Sequence, residues 1–324
     1  MTKFFTKLTL AFTAFTGVLF AQQDPQFTQF MHNKLIYNPG YAGTSDAICA
    51  NVLYRQQWVN FPGAPKTGLF SFDMPIGRLP IGIGLNVMND QIGFSKTTFA
   101  RLAVSYLKRG LGAGNLGIGI DGGILQQQFN GNWITPDGNI TQDPSIPNYA
   151  ANGSPITNPN LNKLTYDLGF GAYYTIPNKM YVGISSTHLA AQDITAGGNV
   201  KYALARHYYV VAGYRFLLNQ VHGIEPNVKI KSDAASTQVD INLTYWWNNT
   251  LWIGATYRMQ DAVCPMLGYK FLKNKSLKVG YSYDVTLSKI KGYSAGTHEI
   301  MLGYCFNTSK PPKVTSHQSV RLLD

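Results

Sequence analysis

The chain has 324 residues, a formal net charge of +11 and 13% charged residues, about half of the roughly 25% found in typical soluble domains. Its three cysteines are too few for a disulfide scaffold. No apolar run after residue 21 reaches the roughly 20 residues that a spanning helix needs, which excludes a helical membrane protein. Together with 20 Tyr and 32 Gly, this composition favours a membrane-embedded β-barrel.

Residues 1–21 are predicted to be a secretory signal peptide that is cleaved after Ala21. Lys3 and Lys7 precede an apolar run that is too short for a transmembrane helix, and no cysteine near the cleavage site indicates lipoprotein processing. Cleavage would leave a charge of +9 that is not clustered as a nucleic-acid patch. We therefore expect no nucleic-acid partner, and attraction to anionic lipopolysaccharide in an outer membrane.

Residues 22–46 form a segment without helical periodicity or strand alternation before the first predicted strand. Two interpretations stay open: a disordered leader, or a plug that packs across the periplasmic mouth or into the lumen. We favour the plug because the segment is dense in apolar and aromatic side chains, which should be buried. Those side chains are Phe27, Phe30, Met31, Leu35, Ile36, Tyr37 and Tyr41. Asn38, Pro39 and Gly40 are predicted to make the turn into the first strand. The side-chain amides predicted to form hydrogen bonds with lumen groups are those of Gln23, Gln26, Gln29 and Asn33.

Apolar and polar residues alternate with period two in segments long enough to cross a bilayer. In 277–287, for example, Leu277, Val279 and Tyr281 share one face, whereas Lys278 and Gly280 share the other. Such segments predict an all-β transmembrane barrel of about 14 antiparallel strands between residues 47 and 306. The predicted strands are 47–58, 66–74, 80–89, 95–108, 115–129, 164–176, 180–187, 200–217, 222–231, 236–247, 251–259, 263–272, 276–287 and 296–306.

Connection lengths agree with an outer-membrane barrel. Every second connection is tight, whereas the long ones, of which 130–163 is the longest, all fall among the others. An even strand number and short periplasmic turns opposite longer outer loops are typical of bacterial barrels. The last strand carries an apolar face that ends in Phe306, and residues 307–324 are predicted to be a flexible periplasmic tail. The soluble alternative is a β-sandwich, whose polar faces would carry more charge than these do.

The predicted register places eight basic and seven acidic residues inside the barrel. Because the two signs nearly balance, we expect paired networks rather than an ion-selective lumen, although charges in a wide barrel could also be hydrated singly. The predicted inward charges are Arg55, Asp73, Arg101, Asp121, Asp167, Arg215, Glu225, Lys229, Lys231, Asp240, Arg258, Lys270, Lys278, Asp284 and Glu299.

Three stretches carry a family resemblance. "QDPQFTQFMHNKLIYNPGYAG", "YRQQWVNFPGAPKTGLFSFDMPI" and "GIGLNVMNDQIG" cover most of residues 23–93. In order and spacing they closely resemble the hallmarks of the PorP/SprF family of Bacteroidetes outer-membrane proteins. The departure is Gly40, where the family usually has Ala. The rest of the chain fits only as a generic barrel.

The resemblance implies a role in the type IX secretion system, in the export or surface anchoring of a large secreted protein such as a gliding adhesin. The implied partners are a surface protein with a carboxy-terminal sorting domain and other components of the system in the periplasm and outer membrane. A preformed outer loop is the candidate contact for the exported protein, because rigidity lowers the entropic cost of binding. The alternative for this loop is simple hairpin closure. Candidate contacts in the segment, the first strand and this loop are Phe27, Phe30, Tyr37, Asn38, Pro39, Tyr41, Arg55, Gln56, Trp58, Pro62, Gly63, Pro65 and Lys66.

The sequence does not favour an enzymatic function. The six His are scattered without the spacing of a zinc motif, and no GxSxG or phosphate-binding loop is present. We therefore expect no catalytic site, cofactor or metal. The alternatives to a secretion component are a diffusion porin or substrate-specific channel, and a barrel hydrolase.

Cys49 and Cys305 lie on the first and last predicted strands, which are neighbours in a closed barrel. Both are predicted to face inward near the periplasmic rim. A disulfide would require a matching register, since cross-strand bridges are geometrically demanding. Two unrelated small buried residues are the favoured interpretation.

Overall fold

The structure is a computed structural model that describes residues 24–77, 79–129, 161–190, 193–196, 200–272 and 275–307. The predicted signal peptide, most of the longest connection and the predicted tail from residue 308 onward lie outside these residues. Among the described residues, no helix is long and apolar enough to span a membrane.

The strands are β1 (Ala47–Gln56), β2 (Lys66–Pro75), β3 (Ile81–Ile92), β4 (Ser95–Leu111), β5 (Gly114–Phe129), β6 (Leu161–Ile176), β7 (Met180–Thr187), β8 (Asp193–Ala196), β9 (Val200–Ala203), β10 (His207–Tyr214), β11 (Phe216–Leu217), β12 (His222–Ser232), β13 (Thr237–Trp247), β14 (Leu251–Arg258), β15 (Ala262–Phe271), β16 (Leu277–Thr286) and β17 (Thr297–Asn307). Three short 3-10 helices, Phe30–His32, Pro39–Tyr41 and Lys289–Gly292, complete the regular structure of the described residues.

The sheet closes on itself as an antiparallel barrel. Each barrel strand pairs with its neighbours in the chain, β10 pairs with both β7 and β12, and β1 pairs with β17. Because β11 continues β10 beyond a break at Arg215, the wall contains 14 strands. The predicted 14-stranded barrel is thus confirmed.

The predicted eighth strand, 200–217, is wrong in its first half. Val200–Ala203 pairs with Asp193–Ala196 in a separate hairpin, and the barrel strand begins only at His207. A hairpin outside the wall can keep strand periodicity, so the sequence pattern alone did not reveal the break. The first strand also ends earlier than predicted, since Trp58 adopts a positive φ of 45° that is incompatible with an extended strand.

The connections lie at two opposite ends of the barrel. Six of them contain two to five residues and lie at the end where the chain enters β1, which we call the turn end. The opposite end, which we call the loop end, carries the connections 57–65, 93–94, 233–236, 259–261 and 287–296. At this end β5 also leads into β6, and β7 leads toward β10. Since short turns face the periplasm in such barrels, the turn end is assigned to the periplasmic side.

Side chains alternate between the two faces of the wall. In β17, Glu299 and Met301 are buried in the lumen, whereas Ile300, Leu302 and Phe306 are exposed on the outside. Other strands of the wall likewise place Leu, Ile, Val and Tyr side chains outward. This apolar outer face matches the hydrocarbon that surrounds a membrane barrel.

The apolar core lies inside the barrel. Ten wall strands contribute buried side chains to one cluster, and residues of the amino-terminal segment complete it. Its members are Phe27, Phe30, Met31, Ile36, Tyr37, Leu53, Leu69, Met88, Phe99, Leu125, Tyr209, Trp246, Trp252, Met266 and Met301.

Candidate functional site

Residues 24–45, called here the lumenal segment, run through the interior of the barrel from one end to the other. Asp24 contacts His188 and His207, which border β7 and β10 at the loop end. At the other extreme, Asp46 forms an ion pair with Arg109 at the turn end, where β1 begins. The segment therefore enters the lumen at the outer mouth and leaves it at the periplasmic mouth.

Buried carboxylates of the wall hold the backbone of the lumenal segment. Glu299 accepts hydrogen bonds from the N–H groups of Thr28 and Gln29, each at 2.8 Å. The Thr28 hydroxyl donates to Asp284 at 2.8 Å, and the Lys229 ammonium donates to the Phe27 carbonyl at 3.1 Å. Three consecutive residues of the segment are thus bonded to three strands.

The same carboxylates belong to an ion-pair cluster that we call the Arg55 network. Arg55 pairs with Asp284 at 2.7 Å and with Glu299 at 3.0 Å. Arg258 bridges Asp284 at 3.1 Å and Asp240 at 3.3 Å. Lys229 adds a further pair with Asp240 at 2.8 Å, so three cations face three carboxylates. The nearly balanced inward charge predicted such pairing, but Lys270 and Lys278 donate to the Asn249 side chain and the His32 carbonyl instead.

The turn at Asn38 to Gly40 packs against bare backbone. The Asn38 amide donates to the carbonyls of Ala172 and Ile184 at 2.9 and 3.0 Å, and its oxygen accepts from the Gly40 N–H at 2.9 Å. A Cβ atom at Gly117 would lie 2.0 Å from the Gly40 carbonyl oxygen. Glycines on the inner face of the wall therefore create the space that the turn occupies.

Gly40 itself lies in the same contact. A Cβ atom at this position would approach the carbonyl oxygens of Gly117 and Gly171 to 2.7 and 2.9 Å. The wall therefore leaves little room for a side chain at Gly40, where the family motif usually has Ala.

The start of the lumenal segment is bonded at the loop end by a second polar cluster. Asp24 accepts from the Tyr209 hydroxyl at 2.6 Å and lies 3.0 Å from Nε2 of His188. Nδ1 of His188 faces Asp167 at 3.0 Å, and Lys231 donates to the Asp24 carbonyl at 2.8 Å. Burial alone lowers the pKa of His188, but the Asp24 and Asp167 carboxylates outweigh it and raise the pKa of His188 to about 9.

The first outer connection, residues 57–65, is tied to its neighbours by backbone hydrogen bonds. Val59 donates to the carbonyl of Gly296 at 2.9 Å, and Gly93 donates to that of Gly63 at 2.8 Å. Beside it, a cavity of about 450 Å³ opens at the loop end between Trp58, the start of the lumenal segment and the 259–261 connection. Residues 57–65, which we call the ledge, are thus held by hydrogen bonds at the outer mouth.

The predicted contact residues fall into two groups that the structure does not bring together. One group lines or fills the lumen, and the other belongs to the ledge and the strands that it joins. Buried are Phe27, Phe30, Tyr37, Asn38, Pro39, Arg55 and Pro65; half-buried are Tyr41, Gln56 and Trp58; exposed are Pro62, Gly63 and Lys66. Their roles as partner contacts stay predictions.

The hydrogen bonds expected from the Gln29 and Asn33 side chains are not found, and Gln23 lies outside the described residues. Among the described residues, the Gln29 and Asn33 side chains are buried without a hydrogen-bond partner, and backbone N–H groups and Thr28 make the contacts instead. A sequence pattern shows amide side chains but not the direction of backbone N–H groups. Four residues that take part in the contacts of the lumenal segment were not predicted: Asp24, Thr28, His188 and His207. The inward carboxylates Asp284 and Glu299 were the one available signal of where the segment binds.

The disulfide that the sequence left as the less favoured interpretation is present. Cys49 and Cys305 face each other in the β1–β17 register and are bonded. They join residues 256 positions apart in the chain at the seam where the barrel closes. Cys264, the remaining cysteine, is free and buried.

The fold and the lumen define an integral outer-membrane β-barrel with an apolar outer face and a largely occupied interior. Residues 19–304 match the family described as type IX secretion system membrane protein PorP/SprF. The chain belongs to this family, and the match extends well beyond the amino-terminal motifs. It is therefore a membrane protein of the type IX secretion system.

Comparison with solved structures finds other outer-membrane barrels. The chain is similar to the TodX deltaS2S3 mutant monoaromatic hydrocarbon channel, with 11% identity, 84% of this chain and 94% of that chain covered, and a TM-score of 0.48. The toluene transporter TodX of P. putida has 10% identity and a TM-score of 0.47, with 86% of this chain and 95% of that chain covered. The KdgM porin has 10% identity and a TM-score of 0.38, with 80% of this chain and 99% of that chain covered. These likenesses assign no transported molecule to this chain, and the comparison with curated proteins gave no match.

Proposed function

We propose that this barrel supports the export or surface anchoring of a large, adhesin-like protein secreted by the type IX system. The observation that carries the proposal is the lumenal segment. This family hallmark is bonded to the wall from Asp24 at the outer mouth to Gly43, whose N–H donates to Asp73 near the periplasmic mouth. A barrel filled in this way suits a docking or anchoring component.

A diffusion porin is the alternative. Porins keep a polar, water-filled lumen, and ion-selective pores usually carry an excess of one charge. Here the lumen holds a buried apolar cluster that includes Phe27, Phe30 and Trp252. The ion pairs around it are balanced in sign. Both features disfavour open diffusion.

The ledge is the proposed contact for the secreted partner. Its Pro62 and Gly63 are exposed, and hydrogen bonds to Gly296 and Gly93 hold it from both sides. A surface that is ordered before binding loses little conformational entropy on binding. The periplasmic components of the system would meet the opposite, turn end.

The proposal is tested by comparing the surface proteome of the native bacterium with and without this gene. We expect one large secreted protein with a carboxy-terminal sorting domain to be lost from the surface and restored by the wild-type gene. Uptake of small solutes should be unchanged. An unchanged surface proteome together with reduced solute uptake would contradict the proposal and favour the porin.

A further inference from the structure

Three potential metal ligands converge where the lumenal segment begins. Asp24, His188 and His207 each offer one ligand atom, and these atoms lie within 4.8 Å of one another. Both His side chains are buried, whereas the carboxylate of Asp24 is 21% exposed and faces the loop end. Among the described residues, this is the one group of three such side chains that comes this close. It joins the segment to β7 and β10.

The ring orientations turn nitrogen lone pairs toward this point. Nδ1 of His207 lies 3.0 Å from the Ala205 carbonyl, to which it donates, so Nε2 is the acceptor. That Nε2 accepts from the Asp24 N–H at 3.2 Å, which shows that its lone pair points at Asp24. In His188 both ring nitrogens face carboxylate oxygens, at 3.0 Å each. The Nε2–Oδ1 pair must therefore share a proton or a metal ion.

Each ligand also has a second contact. Nδ1 of His188 lies 3.0 Å from Asp167, an ion-pair distance without hydrogen-bond geometry. The Ala205 carbonyl accepts from Nδ1 of His207, and the Tyr209 hydroxyl donates to the second carboxylate oxygen of Asp24. Metal-binding histidines nearly always donate their other N–H to a carboxylate or a carbonyl, and His207 has this arrangement.

The local charge also favours a cation. Four carboxylates lie in or beside this cluster, and two basic side chains accompany them. The carboxylates are Asp24, Asp90, Asp121 and Asp167, and the basic residues are Arg101 and Lys231. His188 has to release its shared proton to solvent first, and a divalent ion then compensates the surplus of carboxylates.

We propose that Asp24, His188 and His207 bind a divalent metal ion that is intermediate between hard and soft, with Zn²⁺ as the best match. Two imidazoles and one carboxylate are a typical zinc donor set, and three protein ligands leave a fourth position for water. The adjoining cavity of about 360 Å³ at the loop end provides room for that water and a path for the ion.

Modest movement completes the site. Ligand atoms around tetrahedral zinc are roughly 3.3 Å apart, given bonds of about 2.0–2.1 Å. The Asp24–His188 distance of 3.0 Å already meets this, and His207 has to exchange the Asp24 N–H for the metal. Through these three ligands the ion would connect the beginning of the lumenal segment to β7 and β10 at the outer mouth.

The test is Zn²⁺ binding to the full-length mature protein, purified in detergent without a histidine tag. We expect one Zn²⁺ per chain by calorimetry and by elemental analysis, and no comparable binding of Mg²⁺. Asp24→Asn, which leaves the wall intact, and the double variant His188→Ala/His207→Ala should lose the site. Asp167→Asn should weaken binding about 10–100-fold, the usual effect of removing a carboxylate that orients a ligand.

His222→Ala is the matched control, since His222 lies at the turn end and pairs with Tyr245. It should bind Zn²⁺ as the wild type does, and heat-modifiable electrophoretic mobility should show that each variant is a folded barrel. Absence of Zn²⁺ binding by the wild type would overturn the proposal. So would equal binding by the wild type and Asp24→Asn, because the ion would then lie elsewhere.

Discussion

At the scale of single residues, Glu299 links the wall to the lumenal segment. Its two oxygens accept the backbone N–H groups of Thr28 and Gln29, and one of them also pairs with Arg55. All of these groups are buried, so each depends on the others for its hydrogen bonds. Removing one member of such a cluster leaves the remaining charges without compensation.

We predict that Glu299→Gln lowers the free energy of unfolding by about 3–5 kcal/mol, the usual effect of breaking a buried ion pair. Arg55 would lose a counter-charge, and the amide NH₂ group would face other donors. The measurement is guanidinium unfolding in detergent micelles, followed by tryptophan fluorescence. Asp46→Asn is the control, because its ion pair with Arg109 is exposed and worth about 0–1 kcal/mol. Equal losses in the two variants would contradict the assigned role of Glu299.

The glycines that face the Asn38 turn leave space for it because they have no side chain. We predict that Gly117→Ala displaces this turn, because the new Cβ would lie 2.0 Å from the Gly40 carbonyl oxygen. Overpacking of this kind typically costs about 1–3 kcal/mol. Limited trypsin digestion should then cut after Lys34, which is half-buried in the lumen of the wild type.

Gly68→Ala is the matched control for this substitution. Gly68 lies on the outer side of β2, and a Cβ atom there would have no neighbour within 4 Å. This variant should resist trypsin as the wild type does. A Gly117→Ala protein that stays protected at Lys34 would show that the turn tolerates the extra methyl group.

At the scale of elements, most of the wall was predictable because each strand shows period two on its own. The pairing of most inward charges was predictable from the balance of their signs, whereas the hydrogen bonds of Lys270 and Lys278 to neutral acceptors were not. The break before His207 was not, since residues 200–206 keep the alternation while they leave the wall. The bonds of Thr28 and Gln29 were also not predictable, because they arise from backbone groups whose direction depends on the folded segment.

The first and last strands are the elements joined by a covalent bond. We predict that reducing Cys49–Cys305 destabilises the barrel by about 2–4 kcal/mol, since the bridge closes a loop of most of the chain. The check is the denaturation midpoint in detergent with and without dithiothreitol. Cys264→Ala should keep the dependence on reductant, whereas Cys49→Ser/Cys305→Ser should abolish it. A midpoint of the wild type that does not respond to reductant would contradict the prediction.

At the scale of the whole molecule, the barrel and its lumenal segment form one folded unit. The wall supplies inward carboxylates, glycines and apolar side chains, and the segment supplies the backbone and aromatic groups that fit them. The sequence predicted that this segment would be buried, from its aromatic density. It did not reveal that the segment runs the full length of the lumen, because His188 and His207, which hold its start, lie far away in the chain.

We infer that the lumenal segment closes the barrel to diffusion. The most direct test compares the conductance of the wild type in planar bilayers with that of a protein lacking residues 23–45 but keeping the signal peptide. Heat-modifiable mobility should first show that both proteins insert as folded barrels. We predict that the wild type conducts little, and that the deletion opens a stable pore of much larger conductance. Equal conductance of the two proteins would contradict the account.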